Sequence, residues 1–328
     1  MSTFIIGEAG SNHNGEYSKA ISLIDVAKNA GCDAVKFQTF SAATLFSRYT
    51  PDFANYKNIY GIIKENEIPR YWHKTLKEYC DDIGIEFMST PFDEAAVDEL
   101  ISLGVKRLKI AGFESTDPRF INIVAKTGLP LIISLGIKSN VSKVHSLYNS
   151  IQKVNECDVT FLHCNNAYPT PYTDINLKEL FKYNKMGYNY GLSDHTPGPL
   201  VPAIAVGLGA TCIEKHFTLD KNLPGPDHHF ALDPTELKQM VDYIRIAEKC
   251  VGTKDELLTN SEKAFSIGTR SVVTLKPIKA GDVLNESNIT TKRPCLEDSI
   301  PACYFYEMIG KTIKVDVRED EILTWEMI

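Results

Sequence analysis

The chain of 328 residues lacks the features of a membrane protein or a nucleic-acid-binding protein. No apolar run approaches the roughly 20 residues that cross a bilayer. The N-terminus carries no basic stretch ahead of its first apolar run, so no secretory signal is predicted. The net charge of -7 argues against a nucleic-acid-binding surface. We therefore expect a cytoplasmic protein with no membrane and no nucleic-acid partner.

Two other common signatures are absent. The eight cysteines form no C-x-x-C pair, and in a chain without a secretory signal they are expected to be reduced core thiols rather than disulfides. No G-x-G-x-x-G motif is present, and Gly310-Lys311-Thr312 has no glycine-rich loop before it, so neither of the two common nucleotide-binding motifs is predicted.

What the chain does contain is a repeated pattern in which a short apolar run ends in a polar residue and a helix-like stretch follows. The runs end at Glu8, Lys36, Ser89, Lys109, Ser134, His163, Ser193 and Glu214. Eight such units are the number that closes a (β/α)8 TIM barrel, in which the carboxyl ends of the strands converge on one active site. The fold class is therefore predicted to be α/β, with a small β-rich domain after the barrel.

The domain boundaries follow from composition. Residues 1–250 are assigned to the barrel, the polar stretch 251–268 to a linker, and residues 269–328 to the small domain, with strands expected at 271–275 and 312–317. Helices are expected near 17–30, 70–83, 93–103, 117–127, 141–154, 176–184, 199–209 and 233–250. The long stretch 41–69 is predicted to be a loop over the mouth of the site.

Two histidines are candidate metal ligands. His195 and His216 lie at the ends of the predicted seventh and eighth strands, which are neighbours about 4.8 Å apart, with Asp194 and Glu214 close by. Imidazole and carboxylate with room for water suit Mn, Fe, Co or Zn. The alternative is a pair of structural histidines bonded to backbone. The adjacent His228 and His229 point opposite ways on an extended segment and are set aside as a metal pair.

Three further strand ends carry charge. Lys36 and Lys109 follow apolar residues, where an unpaired ammonium is costly to bury, so an anionic phosphate or carboxylate is expected between them. The alternative is that both reach solvent at the barrel rim. Glu8 is positioned to act as a base or to orient a sugar hydroxyl, the alternative being a loop or capping role.

The chain resembles the sialic-acid synthase family, the phosphoenolpyruvate-dependent nonulosonate synthases. The resemblance is carried, in order along nearly the whole chain, by 6–15 (IGEAGSNHNG), 35–39 (VKFQT), 89–92 (STPF), 162–172, 191–196 (GLSDHT), 214–217 (EKHF) and 224–227 (PGPD). Residues 269–328, with Lys292-Arg293-Pro294, are similar to the family's antifreeze-like (SAF) domain.

The resemblance implies the activity, the cofactor and the site residues. It implies a C–C bond-forming transferase that condenses phosphoenolpyruvate with an open-chain N-acetylated amino sugar of the N-acetylmannosamine type. The cofactor would be Mn²⁺ or Mg²⁺ and the assembly a domain-swapped homodimer, with Arg293 reaching the partner's sugar site. The implied roles are metal binding by His195 and His216; phosphoenolpyruvate binding by Lys36, Thr90, Lys109, Ser134, Asn166 and Ser193; and contact with the sugar or its reacting end by Glu8, Gln38, Tyr168, Asp227 and Arg293.

Departures from the family pattern leave the substrate open. Gly112 stands where many members have a phosphate-binding serine, and Ala111-Gly112-Phe113-Glu114 is closer to pseudaminate synthases, whereas 224–227 and 168–172 resemble the neuraminate and legionaminate branches. The alternatives are a legionaminate or pseudaminate synthase using a 2,4-diacetamido-trideoxyhexose, a 3-deoxy-sugar-acid phosphate synthase, or a non-catalytic carbohydrate-binding protein.

Overall fold

The computed structural model describes residues 2–52, 56–137, 139–252 and 258–328. The chain divides into two compact units, Met1–Gly252 and Thr253–Ile328. Part of the predicted linker, 253–257, lies outside the described residues.

Eight strands form one parallel sheet in the first unit. They are β1 (Phe4–Gly10), β2 (Ala34–Thr39), β3 (Glu86–Pro91), β4 (Leu108–Ile110), β5 (Leu131–Leu135), β6 (Val159–Cys164), β7 (Asn189–Asp194) and β8 (Cys212–His216). Hydrogen-bonded neighbours run β3-β2-β1-β8-β7-β6-β5-β4, and β3 lies beside β4 at the seam. The strands are buried along nearly their whole length, as expected where helices cover a parallel sheet. The predicted TIM barrel is confirmed.

Ten α-helices belong to the described part of this unit. They are α1 (Tyr17–Ala30), α2 (Ala42–Leu45), α3 (Ile59–Glu65), α4 (Trp72–Ile83), α5 (Glu94–Ser102), α6 (Pro118–Ala125), α7 (Val141–Val154), α8 (Glu179–Lys185), α9 (Leu200–Gly207) and α10 (Pro234–Val251). The last begins with a reciprocal capping box between Asp233 and Glu236, and its apolar face buries Leu237, Met240 and Ile244. No helix of the described chain is both long and apolar enough to cross a membrane.

The stretch 41–69 is more ordered than the loop predicted for it. It contains α2 and α3, and the second of these is capped by Asn58, whose side chain accepts a hydrogen bond from the backbone of Gly61. Both helices are too short for hydrophobic periodicity to reveal them, which is why the sequence pattern indicates only a loop.

The second unit is a small β structure with its own apolar core. An antiparallel pair joins β9 (Ser271–Thr274) to β10 (Ile289–Lys292), and the helix α11 (Phe305–Met308) follows. The strand expected at 312–317 is wrong: Thr312 and Val317 form only isolated bridges to Val283 and Ile278. All eight cysteines of the chain are free thiols. Four of them are buried as expected of core thiols, namely Cys32, Cys80, Cys164 and Cys212, whereas Cys250 and Cys303 are exposed.

Candidate active site

Parallel pairing brings charged residues together at the carboxyl ends of the central strands. In the register, Glu8 of β1 lies opposite Lys36 of β2 on one side and His216 of β8 on the other. Because side chains alternate along a strand, Glu214 and His216 face the same side, towards the barrel axis.

Four side chains at these strand ends form a buried ion network: Glu8, Lys36, Lys109 and Glu214. The Lys36 ammonium lies 2.7 Å from Glu8 Oε2 and 3.6 Å from Glu214 Oε2, and Lys109 lies 3.5 Å from Glu214 Oε1. Both lysines are 2 % exposed, so neither reaches solvent at the rim. In the sequence Glu214 stands out only as a neighbour of His216, whereas in the structure it is the shared partner of both lysines.

Hydroxyl groups predicted to hold phosphoenolpyruvate surround this network. Lys36 donates to Thr90 Oγ1 at 2.8 Å, Lys109 donates to Ser134 Oγ at 2.8 Å, and Ser193 donates to Glu214 Oε1 at 2.9 Å. An anion entering here would find two ammonium groups and three hydroxyls within one buried layer, a donor set that matches phosphate or carboxylate.

The carboxylates of the network differ in acidity. Burial raises the pKa of Glu8 to about 7 against the opposing pull of Lys36. Burial would also raise the pKa of Glu214, but Lys109 and Lys36 together lower it to about 2. One carboxylate is therefore poised to exchange a proton near neutrality while the other stays ionised, a division typical of acid–base sites.

The two histidines lie side by side with ring centroids 5.5 Å apart. His195 Nδ1 donates to the carbonyl of Asn165 at 2.7 Å, which leaves Nε2 with a free lone pair. Burial lowers the pKa of both rings, and His216 Nδ1 is buried with no hydrogen bond. Neutral, oriented imidazoles are the form that binds metal.

These imidazoles fit a divalent metal with part of its coordination shell supplied from outside the protein. Within the described ranges, no group of three His, Cys, Asp or Glu side chains is arranged to hold a metal ion. Asp227 Oδ2 lies 3.7 Å from His216 Nδ1, and burial raises the pKa of Asp227 to about 6. Water or substrate oxygens would complete the shell.

A cavity of about 520 Å³ opens beside the histidines. Its polar lining residues are Ser11, Gln38, Tyr56, Asn66, Glu114, Asn166, Tyr168, His216 and Asp227. Tyr168 packs on His195 with ring centroids 4.1 Å apart, and Gln38 donates to Glu8 Oε1 at 2.7 Å. Four predicted sugar-contacting residues, Glu8, Gln38, Tyr168 and Asp227, therefore lie in or directly beside one cavity. Arg293 follows β10 in the second unit and is exposed there.

The glycine at position 112 leaves room for the side chain of Asn166. A Cβ built on Gly112 would lie 2.9 Å from Asn166 Nδ2, and one on Gly136 would lie 1.7 Å from Asn166 Oδ1. The side chain of Asn166 occupies the space beside both glycines, so a serine at position 112 would require that amide to move.

A second buried ion pair lies on the opposite face of the strands. Asp194 and Lys215 are register partners on β7 and β8, each directly before a histidine, and Lys215 Nζ lies 2.6 Å from Asp194 Oδ2. Asp194 also accepts from the backbone and hydroxyl of Thr196, both at 3.0 Å. The position of Asp194 next to His195 predicts a place beside the metal, but in the structure Asp194 pairs with Lys215 and so joins β7 to β8.

The NeuB family model matches residues 23–256, and the SAF domain model matches residues 269–328. The chain belongs to the NeuB family. It is 38% identical over 344 residues to N,N'-diacetyllegionaminic acid synthase of Legionella pneumophila, covering 100% of this chain and 95% of that protein. It is 34% identical over 330 residues to pseudaminic acid synthase of Campylobacter jejuni serotype O:23/36, covering 98% and 95%.

A solved structure from the same family agrees in fold. The N-acetylneuraminic acid synthetase of Leptospira borgpetersenii, in complex with citrate, superposes with a TM-score of 0.74 at 31% identity and covers 81% of this chain and 90% of that one. The family and its class, C–C bond-forming synthases, are thereby confirmed as the sequence predicts.

The Asp194–Lys215 pair is expected to stabilise the barrel strongly. Lys215→Met leaves a buried carboxylate unpaired, which should lower the free energy of unfolding by about 3–5 kcal/mol, and the double variant Asp194→Asn/Lys215→Met should recover most of that loss. Urea unfolding measures both. Lys182→Met, which removes an exposed pair with Glu179, is the control and should cost under about 1 kcal/mol. A Lys215→Met protein as stable as this control would contradict the assignment.

The raised pKa of Glu8 predicts a pH-dependent penalty. Since the unfolded chain releases this proton near pH 4.5 and the folded chain near pH 7, raising the pH across that window destabilises the fold. Glu8→Gln lacks this penalty, so its stability relative to wild type should grow by roughly 2 kcal/mol between pH 5 and pH 8. Urea unfolding at the two pH values measures the change. The exposed Glu78→Gln is the control, and a pH-independent difference for Glu8→Gln would refute the prediction.

Proposed function

We propose that the protein condenses phosphoenolpyruvate with an open-chain N-acetylated amino sugar of the N-acetylmannosamine type, giving a nine-carbon sugar acid and phosphate. The observation that carries this is the buried layer in which Lys36 and Lys109, with the hydroxyls of Thr90, Ser134 and Ser193, form an anion site beside two neutral histidines. The names of the relatives support the same reaction.

In this proposal, different residues bind phosphoenolpyruvate, position the water and accept its proton. Lys36 and Lys109 hold the phosphate and carboxylate of phosphoenolpyruvate and offset their charge. The C2=C3 π electrons of phosphoenolpyruvate form the new bond from C3 to the sugar aldehyde carbon; the aldehyde C=O π bond breaks, its oxygen takes up a proton, and C2 is left electron-deficient. Glu8 orients the water that adds at C2 and accepts its proton, and the C2–O bond then breaks to release phosphate.

The histidines define where the aldehyde would lie. A divalent metal such as Mn²⁺ or Mg²⁺ held by His195 and His216 would supply Lewis-acid polarisation of the aldehyde oxygen. Tyr168, packed on His195, and Asp227, beside His216, are placed to orient the hydroxyls nearest the reacting carbon.

The reaction is tested by phosphate release from phosphoenolpyruvate with purified protein, Mn²⁺ and a panel of amino sugars. Release is expected with a non-phosphorylated N-acetylated sugar and should stop when a chelator removes the metal. Release only with phosphorylated sugars would favour the sugar-phosphate synthase. No release from folded, metal-loaded protein would favour a non-catalytic role.

The proposed assembly is a domain-swapped homodimer in which Arg293 completes the site of the partner subunit. Arg293 is an exposed guanidinium in the second unit with no ion pair to any described residue, so it is free to bind a substrate or a partner.

Mixing variants tests the swap. Glu8→Gln should lower turnover about 10²–10⁴-fold, and Arg293→Ala should be similarly impaired. Mixed and allowed to exchange subunits, they should recover up to about a quarter of wild-type turnover, since half of the subunits are then in mixed dimers and each mixed dimer has one intact site. Each variant exchanged with itself is the control, and light scattering checks the dimer. No recovery despite confirmed exchange would count against action in trans.

A further inference from the structure

A buried histidine joins the loop after β1, residues 11–16, to the loop after β8, residues 217–233. His228 is fully buried, whereas its neighbour His229 is exposed. His228 Nδ1 lies 2.6 Å from Thr218 Oγ1, and Nε2 lies 3.0 Å from Asn14 Oδ1. One imidazole therefore contacts both loops, and we call these two hydrogen bonds the His228 bridge.

The direction of each hydrogen bond in the His228 bridge follows from the carbonyl of Pro224. Asn14 Nδ2 donates to that carbonyl at 2.9 Å, so the Asn14 side chain turns its Oδ1 to His228. Because an amide oxygen only accepts, Nε2 carries the ring proton, and Nδ1 of the neutral ring accepts from the Thr218 hydroxyl. Both ring nitrogens are thereby used within the protein, which agrees with setting His228 aside as a metal ligand.

The backbone of the loop after β8 lies directly against this ring. A Cβ built on Gly225, where φ is +148°, would lie 2.7 Å from His228 Cδ2 and 3.3 Å from Asn14 Oδ1. Glycine is required there for both the close approach and the backbone conformation. Asn12 Nδ2 also donates to the carbonyl of Phe217 at 2.7 Å, which adds a further link between the two loops.

Residues on either side of His228 in the chain reach the candidate active site. Asp227 lines the cavity, with its Oδ2 3.7 Å from His216 Nδ1. Phe230 packs on the His216 ring with centroids 5.3 Å apart, and on the Tyr168 ring at 5.6 Å. The loop that carries Asp227 and Phe230 contains no helix and no strand, so their positions depend on the contacts that fasten it.

We propose that His228 is a positioning residue for the sugar side of the site: by joining the two loops, it holds Asp227 and Phe230 in place at the cavity. This inference rests on the proposed condensation, in which Asp227 orients the hydroxyls nearest the reacting carbon. Lys36 and Lys109, which would hold phosphoenolpyruvate, have hydrogen bonds of their own on other strand ends. Loss of the His228 bridge should therefore weaken the use of the sugar and spare phosphoenolpyruvate.

His228→Leu removes both ring nitrogens at similar volume. It should lower kcat/KM for the sugar by about 10–100-fold, mainly through the KM of the sugar, because small displacements of orienting groups have effects of this size. The KM for phosphoenolpyruvate should stay unchanged. Phosphate release by the full-length protein with Mn²⁺ measures both constants, using N-acetylmannosamine and the panel sugar with the highest turnover. His229→Leu, at the adjacent exposed position, is the matched control and should change neither constant.

Two more variants distinguish positioning from a loss of stability. His228→Gln keeps an N–H that can donate to Asn14 Oδ1 and should recover most of the KM for the sugar. Asn14→Gly removes the other partner at a half-buried position where φ is +48°, a conformation that glycine tolerates. It should raise the KM for the sugar, and adding His228→Leu should raise it little further, since both changes break the same contact. A variant that is merely less stable would lower kcat and leave both KM values as they are.

Hydrogen exchange measures the His228 bridge without turnover. His228→Leu and Asn14→Gly should speed exchange of backbone amides in residues 11–16 and 218–230, while exchange in β2 stays as in wild type. His229→Leu should exchange like wild type throughout.

The outcomes separate this inference from the reaction on which it rests. If folded His228→Leu leaves the KM for the sugar unchanged, or raises both KM values equally, the positioning role is overturned. Unchanged exchange in both loops would overturn the bridge itself. If the wild-type protein releases no phosphate with any sugar of the panel, the proposed condensation fails and the positioning role fails with it, whereas exchange still decides whether the bridge joins the loops.

Discussion

Charge neutrality inside the barrel is the constraint on which the site depends. Glu8, Lys36, Glu214 and Lys109 are all nearly inaccessible to water, and each would be costly to bury alone. They are tolerated because parallel register pairs Glu8 with Lys36, and barrel closure brings Glu214 within reach of both lysines. Removing Lys36 takes away the lysine that pairs with Glu8, and removing Glu214 takes away the carboxylate that pairs with Lys109, so the network restricts substitution at these strand ends.

In the proposed function, the same network lets a preformed site accept an anion. Before substrate binds, Glu214 occupies both lysines, and its pKa of about 2 keeps it ionised. Two cations beside one firmly ionised carboxylate retain attraction for a further anion, whereas Glu8, with a pKa of about 7, can take up a proton at little cost. The arrangement keeps the ammonium groups oriented without a ligand, which reduces reorganisation when the substrate arrives.

Sequence pattern predicted the barrel and its strand-end residues because both follow from short-range rules. An apolar run that ends at Glu8 or Lys36 is visible in the text, and parallel strands gather their ends. Strand alternation also separates Asp194 from His195, so the pairing of Asp194 with Lys215 was within reach of the same rule. The partners of Glu214 were not, because contacts across β2, β4 and β8 depend on barrel closure. The helix α3 was missed since seven residues carry too little periodicity.

Strand ends and the segment between β2 and α4 differ in how freely their residues can be substituted. The lysines, carboxylates and hydroxyls of the buried network sit on strand ends, where register and barrel closure set their positions to within hydrogen-bond distance, and a change there disturbs buried charge. Much of the apolar lining of the cavity is carried by the segment between β2 and α4, whose apolar side chains can change without unpairing any ion. Substitution in that segment can therefore reshape the cavity while the buried ion network is retained.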